Sequence, residues 1–225
     1  MSRAILAEVL DNLDRALCHT PYAVCGLAAM TVWGFTRRIP SHVSIICPSH
    51  SKEAIKCWAG VHGMVLYPDD PSCFGLTTTD GQTRRIRIKF LDSGFEALGV
   101  VVSPSGGYNG ARGTAMSTCA SVLGLASLLN LMAKGYVHSG CADPAPLSRT
   151  ALFTKRAIAQ DIFWVLFRIA DGGFVEEGAM PLSEFDIPGV VDDRFWSPFT
   201  AAYPGVVQAF ALAGYVRGWP PGEAV

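Results

Sequence analysis

The sequence has 225 residues, enough for one large domain or for a domain with a helical appendage. Half of the residues are hydrophobic, only 16% are charged, and the formal net charge is −1. This balance argues against a nucleic-acid partner, which requires clustered positive charge. It favours a large core and leaves apolar surface for a small molecule or a protein partner.

The chain shows no sign of export or of membrane insertion. Its seven cysteines lack CxxC spacing and are odd in number, which is typical of free thiols in a reducing compartment. Glu8, Asp11 and Asp14 interrupt any signal-peptide pattern at the start. The longest apolar run, residues 122–133, is too short to span a bilayer. We therefore expect a cytoplasmic protein.

The first fifty residues predict two helices and a strand. Residues 2–17 have apolar side chains at helical spacing, with Ser2 as a cap. A glycine turn at Gly26 opens a short apolar helix, and Gly34 is suited to close it. A basic turn follows, and residues 43–47 then predict a buried strand.

Further strands are predicted before residue 103. A helix within residues 51–63 precedes short strands at 64–67 and 74–79, and a last apolar strand covers 98–102. Between them, basic and apolar side chains alternate along residues 84–91. Because strand side chains alternate between faces, Arg85, Arg87 and Lys89 are expected to share one face.

A loop-like segment, residues 103–113, divides the chain into two regions. A loop of this length in a compact domain is usually functional, and it contains Tyr108 and Arg112. After it the sequence predicts helices at 119–138 and 150–170, a looser one at 204–217, and an irregular stretch at 172–198. The expected organisation is an α/β core over residues 1–113 and a helical appendage over 114–225.

The order of elements in residues 22–48 resembles the nucleotidyltransferase superfamily, whose common core is that of DNA polymerase β. Members of that family have a glycine pair before the helix, an Asp-x-Asp pair on the next strand and a third acid on a later strand. Here Cys25-Gly26 stands at the glycine pair, His42-Val43-Ser44 at the Asp-x-Asp pair and Lys89 at the third acid.

The resemblance extends into the helical region and covers about two thirds of the chain. Lys134, Lys155 and Asp161 stand at places that match the helical appendage of the family. It implies an α+β fold, with a small mixed sheet flanked by helices and a C-terminal helical appendage.

The departures from the family pattern indicate that its chemistry is lost. In the family, three carboxylates hold two divalent ions for phosphoryl transfer, and oxygen-rich anionic ligands are what magnesium requires. His42, Ser44 and Lys89 cannot supply them. We therefore expect no metal, no cofactor and no nucleotidyl transfer. If the strand register differs, the nearest acids are Asp69, Asp70 and Asp92, in turn-like sequence.

The former metal cleft is the predicted site. Its expected catalytic residues are Lys89, Ser44 and His42, which offer hydrogen-bond donors instead of carboxylates. The residues expected to contact a substrate are Met30, Trp33, Arg87, Tyr108, Arg112, Lys134 and Trp164. The alternative for Lys89 is that it points into solvent from a sheet edge, as strand lysines often do.

Two functions are compatible with a cleft that has lost its acids. The first is a cofactor-free cyclase of the pericyclase type, similar to norbornene-forming cyclases of natural-product biosynthesis. Such an enzyme folds an apolar substrate and polarises one carbonyl in a Diels–Alder cycloaddition. The alternative is a non-catalytic pseudo-nucleotidyltransferase that binds a ligand or a protein partner. A closed apolar pocket with a few donors favours the cyclase, and a filled pocket favours the binding module.

Overall fold

The computed structural model describes residues 1–102, 116, 118–139, 149–171, 182 and 186–217. The chain divides into two compact units, Met1–Gly124 and Leu125–Val225. The boundary expected at residue 113 lies outside the described residues. Within those residues the first unit holds a sheet with helices and the second is helical, so the predicted α+β class is confirmed. No helix in the described part of the chain is long and apolar enough to cross a membrane.

In the described part of the first unit, helices and strands alternate as far as β3, and four further strands follow. They are α1 (Arg3–Leu17), β1 (Ala23–Cys25), α2 (Gly26–Val32), β2 (Val43–Pro48), α3 (Lys52–Val61), β3 (Val65–Leu66), β4 (Cys73–Thr77), β5 (Thr83–Leu91), β6 (Val100–Val102) and β7 (Ser121–Leu123). The second unit contains α4 (Leu125–His138), α5 (Arg149–Ala170), α6 (Pro188–Val191), α7 (Asp193–Ala202) and α8 (Val206–Leu212).

The strands of the described residues form one mixed sheet. Their order is β3-β4-β5-β2-β1-β7-β6, with β2 parallel to β5 and β1 parallel to β7, and the other pairs antiparallel. Strand β5 lies between β4 and β2, in the interior of the sheet. Lys89 is therefore on an internal strand and not at a sheet edge, although its side chain is exposed, as that alternative expected.

The alternation predicted for residues 84–91 separates a buried face from a charged one. Ile86 and Ile88 are buried, whereas Arg85, Arg87 and Lys89 are exposed. The partners of the two isoleucines on β2, Val43 and Ile45, are also buried. Because partners across a sheet share a face, these apolar residues form one side of the core.

Glycine controls both ends of α2. Gly26 has φ +62°, a backbone region that side-chain-bearing residues rarely adopt, so the chain passes from β1 directly into the helix. Gly34 has φ +99°, and the amide of Phe35 donates to the Met30 carbonyl at 2.9 Å. This closure is the one predicted for Gly34.

Two regions differ from the sequence-based expectation. The helix predicted from residue 119 begins at Leu125, because residues 121–123 pair with β1 and β6 as a strand. Within the stretch expected to be irregular, α6 and α7 form: Pro188 stands in the first turn of α6, and Asp192 caps α7 by accepting from the Arg194 amide at 2.9 Å. A three-residue strand and a proline-containing helix leave no periodic pattern long enough to recognise.

Aromatic rings form the core of the second unit where α4 meets α7. The ring of Tyr136 lies edge-on to Phe195 and Phe199, at centroid distances of 5.8 and 4.9 Å. The two phenylalanine rings stack at 4.6 Å. All three side chains are buried, so this cluster packs α7 against α4.

Candidate functional site

Strand pairing places four polar side chains in one row across the sheet. Cys25 of β1 pairs with Ser44 of β2, Ser44 pairs with Arg87 of β5, and Arg87 pairs with Cys73 of β4. Neighbouring strands lie about 4.8 Å apart and paired residues share a face, so Ser44 stands between Cys25 and Arg87. We call these four residues the polar row.

Lys89 belongs to the next row on the same face. Its partner on β2 is Ile46, whose partner on β1 is Ala23. Ser44 and Lys89 are therefore diagonal neighbours, and the residue directly opposite Ser44 is Arg87. The sequence pattern assigned Arg87 to substrate contact and Lys89 to catalysis, and the two side chains point from β5 to one side.

The three cations of β5 differ in their surroundings. Arg85 forms an ion pair with Asp70, donates through Nε to the Cys73 sulfur at 2.7 Å, and lies over the Tyr67 ring at 5.7 Å. Arg87 and Lys89 are exposed and form no ion pair with any residue that the structure describes. Two of the three positive charges on this face are therefore available to a ligand.

His42 lies in the bend directly before β2, two residues before Ser44, and is half-buried. Burial lowers the pKa of His42, and the positive charges of Arg87 and Arg85 lower it further. Its ring is accordingly neutral at pH 7. Its Nδ1 lies 3.2 Å from the Ser41 hydroxyl. A neutral imidazole can donate or accept one hydrogen bond, but it cannot replace a carboxylate as a magnesium ligand.

Cys25 is a member of the row that the sequence pattern did not assign to the site. Burial raises the pKa of the Cys25 thiol to about 12, although the Lys89 ammonium acts in the opposite direction. The group is therefore a protonated thiol at pH 7 and not a nucleophilic thiolate. The only hint in the sequence was its place before Gly26, and its neighbours on the face depend on strand pairing.

Met30 and Trp33 of the α2 segment lie in the core of the first unit. Their exposed fractions are 1% and 2%. The indole Nε1 of Trp33 donates to the Leu123 carbonyl at 2.8 Å, which joins the end of α2 to β7. Both side chains therefore contribute to the core in this arrangement. Their assignment as substrate contacts stays a prediction.

The remaining predicted contacts lie elsewhere in the chain. Lys134 is exposed on α4 and Trp164 is half-buried on α5, both in the second unit. Tyr108 and Arg112 lie outside the described residues. The structure thus brings Ser44 of β2 together with Arg87 and Lys89 of β5. His42, directly before β2, lies close enough to Arg87 to feel its charge.

Metal-binding groups are scarce among the described residues. No three of their histidine, cysteine, aspartate or glutamate side chains are close enough together to hold a metal ion. Asp70, one of the acids considered from the sequence, is paired with Arg85, and Asp92 accepts a hydrogen bond from the Ser49 hydroxyl at 2.6 Å.

Comparison with known proteins gives one distant likeness. No protein-family model matches the chain, and no curated protein sequence matches it. A solved structure with a similar chain path is the crystal structure of JHP933 from Helicobacter pylori, at 16% identity and a TM-score of 0.41. The match covers 95% of this chain and 88% of that one. Similarity at this level assigns neither a family nor a function.

Proposed function

We propose that the chain is a metal-independent cyclase that acts on an apolar small molecule by an intramolecular Diels–Alder cycloaddition, as in natural-product biosynthesis. One observation supports this proposal above the others. The strand register sets Ser44 beside Arg87, with Lys89 on the adjacent row of the same face. Hydroxyl and cationic donors thus stand together on a rigid sheet, at positions where the nucleotidyltransferase resemblance would require acids.

The proposed chemistry needs only groups of this kind. A [4+2] cycloaddition converts three π bonds into two carbon–carbon σ bonds and one new π bond, without net transfer of a proton or an electron. The protein must hold diene and dienophile together, and effective molarities of this type are worth up to about 7–11 kcal/mol. Ser44 and Lys89 then donate to a carbonyl conjugated with the dienophile, where electron density increases in the transition state.

The proposal predicts an isomer relationship that can be measured before the substrate is identified. We expect deletion of the gene in its source organism to replace a metabolite by an isomer of equal mass, with two fewer rings and two more carbon–carbon double bonds. The purified full-length protein should convert that isomer to the ringed compound. Chelators should not affect the rate.

Variants connect this activity to the candidate site. Loss of a donor to the developing negative charge in Ser44→Ala or Lys89→Ala should lower kcat/KM roughly tenfold or more, equivalent to about 1.4 kcal/mol. Lys56→Ala, at a half-exposed position of α3 where the lysine pairs with Glu53, is the control and should retain full activity. Circular dichroism should show that all three proteins are folded.

Two results would contradict the proposal. One is an accumulated compound that differs in mass from the missing metabolite. The other is full activity in both Ser44→Ala and Lys89→Ala, which would move the site elsewhere. If the deletion changes no metabolite and the protein converts nothing, the non-catalytic pseudo-nucleotidyltransferase replaces the cyclase.

A further inference from the structure

The exposed side of β5 carries more positive charge than its neighbours balance. Arg85, Arg87 and Lys89 occupy every second position of the strand and share one face. The Cα atoms of neighbouring cations are about 7 Å apart, twice the rise of a strand per residue. Asp70 neutralises Arg85 through their ion pair. On the neighbouring strands, the direct partners of Arg87 and Lys89 are Ser44, Cys73 and Ile46, none of which is acidic.

The remaining two cations differ from Arg85 in having no carboxylate beside them among the described residues. Arg85 is held by the Asp70 carboxylate, the Cys73 sulfur and the Tyr67 ring together. For Arg87 and Lys89, the part of the chain that the structure describes contains no ion-pair partner. Both side chains are exposed, so their donors can reach a molecule that approaches this face.

The neighbouring groups respond to this positive charge. The pKa of His42 is lowered by burial first and then by Arg87 and Arg85. Lys89 lies near enough to Cys25 to oppose the rise that burial causes in the pKa of its thiol, which nevertheless stays protonated at neutral pH. Neither His42 nor Cys25 therefore supplies a negative charge on this face.

We propose that Arg87 and Lys89 bind an oxyanionic group of the ligand, a carboxylate or a phosphate. The planar guanidinium of Arg87 can hold two oxygens of such a group at once. Lys89 adds a second charge-assisted donor, and its ammonium keeps further N–H groups for a neighbouring carbonyl. Ser44, opposite Arg87, can donate one more hydrogen bond. The inference goes beyond the proposed cyclisation and does not depend on it, because a binding module would use the same anchor.

Calorimetric titration of the full-length protein tests this anchor with three probes. Benzoate represents a carboxylate, inorganic phosphate represents a phosphate, and benzamide has the shape of benzoate without its charge. At least one anion should bind saturably, more weakly as salt is added, and benzamide should not bind. Stronger binding of benzoate identifies a carboxylate ligand, and stronger binding of phosphate identifies a phosphorylated one.

Substitutions distinguish the anchor from general attraction by a positive surface. Arg87→Gln should weaken anion binding roughly tenfold or more, whereas Lys56→Gln, the same change of charge on α3, should leave it unaltered. Arg87→Lys keeps the charge but loses the two-pronged geometry, so its affinity should fall between wild type and Arg87→Gln.

The inference is overturned if neither anion saturates, or if Arg87→Gln and Lys56→Gln weaken binding equally. Because the readout is binding and not turnover, this result is separate from the outcome of the isomer experiment. If the protein binds benzoate but converts no isomer, the anion-binding proposal is supported and the cyclase proposal is contradicted.

Discussion

At the scale of single residues, buried hydrogen bonds connect elements that are distant in sequence. The Trp33 indole N–H and the Leu123 carbonyl are 90 positions apart and 2.8 Å from each other. This hydrogen bond satisfies both polar groups, which would otherwise stay unpaired in the core. The Tyr22 hydroxyl also joins distant segments, because it accepts from the Ser121 amide at 3.4 Å, 99 positions away. It donates in turn to Asp14 at 2.9 Å, and burial followed by this carboxylate raises the pKa of Tyr22.

Trp33→Phe should be destabilising for this reason. The substitution leaves the Leu123 carbonyl without its indole donor, which costs about 1–3 kcal/mol, and the smaller ring leaves a void that adds to the loss. Urea denaturation should show the decrease in the free energy of unfolding.

Trp58→Phe is the matched control for Trp33→Phe. Trp58 is half-buried on α3 and contacts the rings of His19 and His62. Trp58→Phe should lower the free energy of unfolding less than Trp33→Phe, because a half-exposed side chain keeps its contact with water. Equal losses in the two variants would show that the buried hydrogen bond contributes little.

At the scale of elements, α4 and α6 approach so closely that only glycine fits between them. The Gly189 amide donates to the Asn130 side-chain oxygen at 2.7 Å. A Cβ atom at position 189 would lie 2.7 Å from that same oxygen and 2.9 Å from the Lys134 Cγ. The contact therefore depends on both a buried amide side chain and the absence of a side chain opposite it.

Gly189→Ala and Gly135→Ala should change stability in opposite directions. At Gly189 the added methyl group forces α4 and α6 apart, and overpacking of this kind costs about 1–3 kcal/mol. At Gly135, inside α4, a Cβ would meet nothing within 4 Å, and alanine should stabilise the helix by about 0.5–1 kcal/mol. Thermal unfolding of the two variants should show a lower melting temperature for Gly189→Ala and a higher one for Gly135→Ala. A melting temperature that rises for both would contradict the close packing at α6.

At the scale of the whole molecule, hydrogen-bonded aspartates contribute to the dependence of stability on acid pH. The pKa of Asp80 is lowered chiefly by the Thr78 hydroxyl, then by the Gln82 amide and by Arg84. The pKa of Asp70 is lowered first by the Ser72 hydroxyl and also by Arg85. Asp192 in the second unit follows the same rule, with Arg194 as the cause of its lowered pKa.

Stability should therefore fall on the acid side of about pH 4. A carboxyl group with a lowered pKa binds its proton less readily in the folded state than in the unfolded state. Its contribution is complete above the unfolded pKa, about 3.9, and disappears as the pH falls through the lower folded value. Urea denaturation at pH 6, 4 and 3 should show this decrease.

Asp80→Asn should make the acid-side decrease in stability less steep. Asp69→Asn is the control, because Asp69 is an exposed turn residue without a hydrogen bond among the described residues. The same pH dependence in both variants would contradict the role assigned to Asp80.

The local features of this fold could be read from the sequence because each depends on neighbouring residues. The alternation of residues 84–91 separates Ile86 and Ile88 from the cations of the other face. The glycines at 26 and 34 mark the two ends of α2, since both adopt positive φ. The lack of acids at positions 42, 44 and 89 was likewise evident without a structure.

Pairing between distant segments was decided only in the tertiary structure. The sequence predicted strands 43–47 and 84–91, but only their parallel register shows that Arg87, and not Lys89, stands opposite Ser44. The strand at 121–123 exists because β1 and β6 supply its hydrogen bonds, and its three residues have no periodicity of their own. Side-chain patterns report the burial of each element, whereas the choice of partner strand is made through backbone hydrogen bonds that every non-proline residue can form.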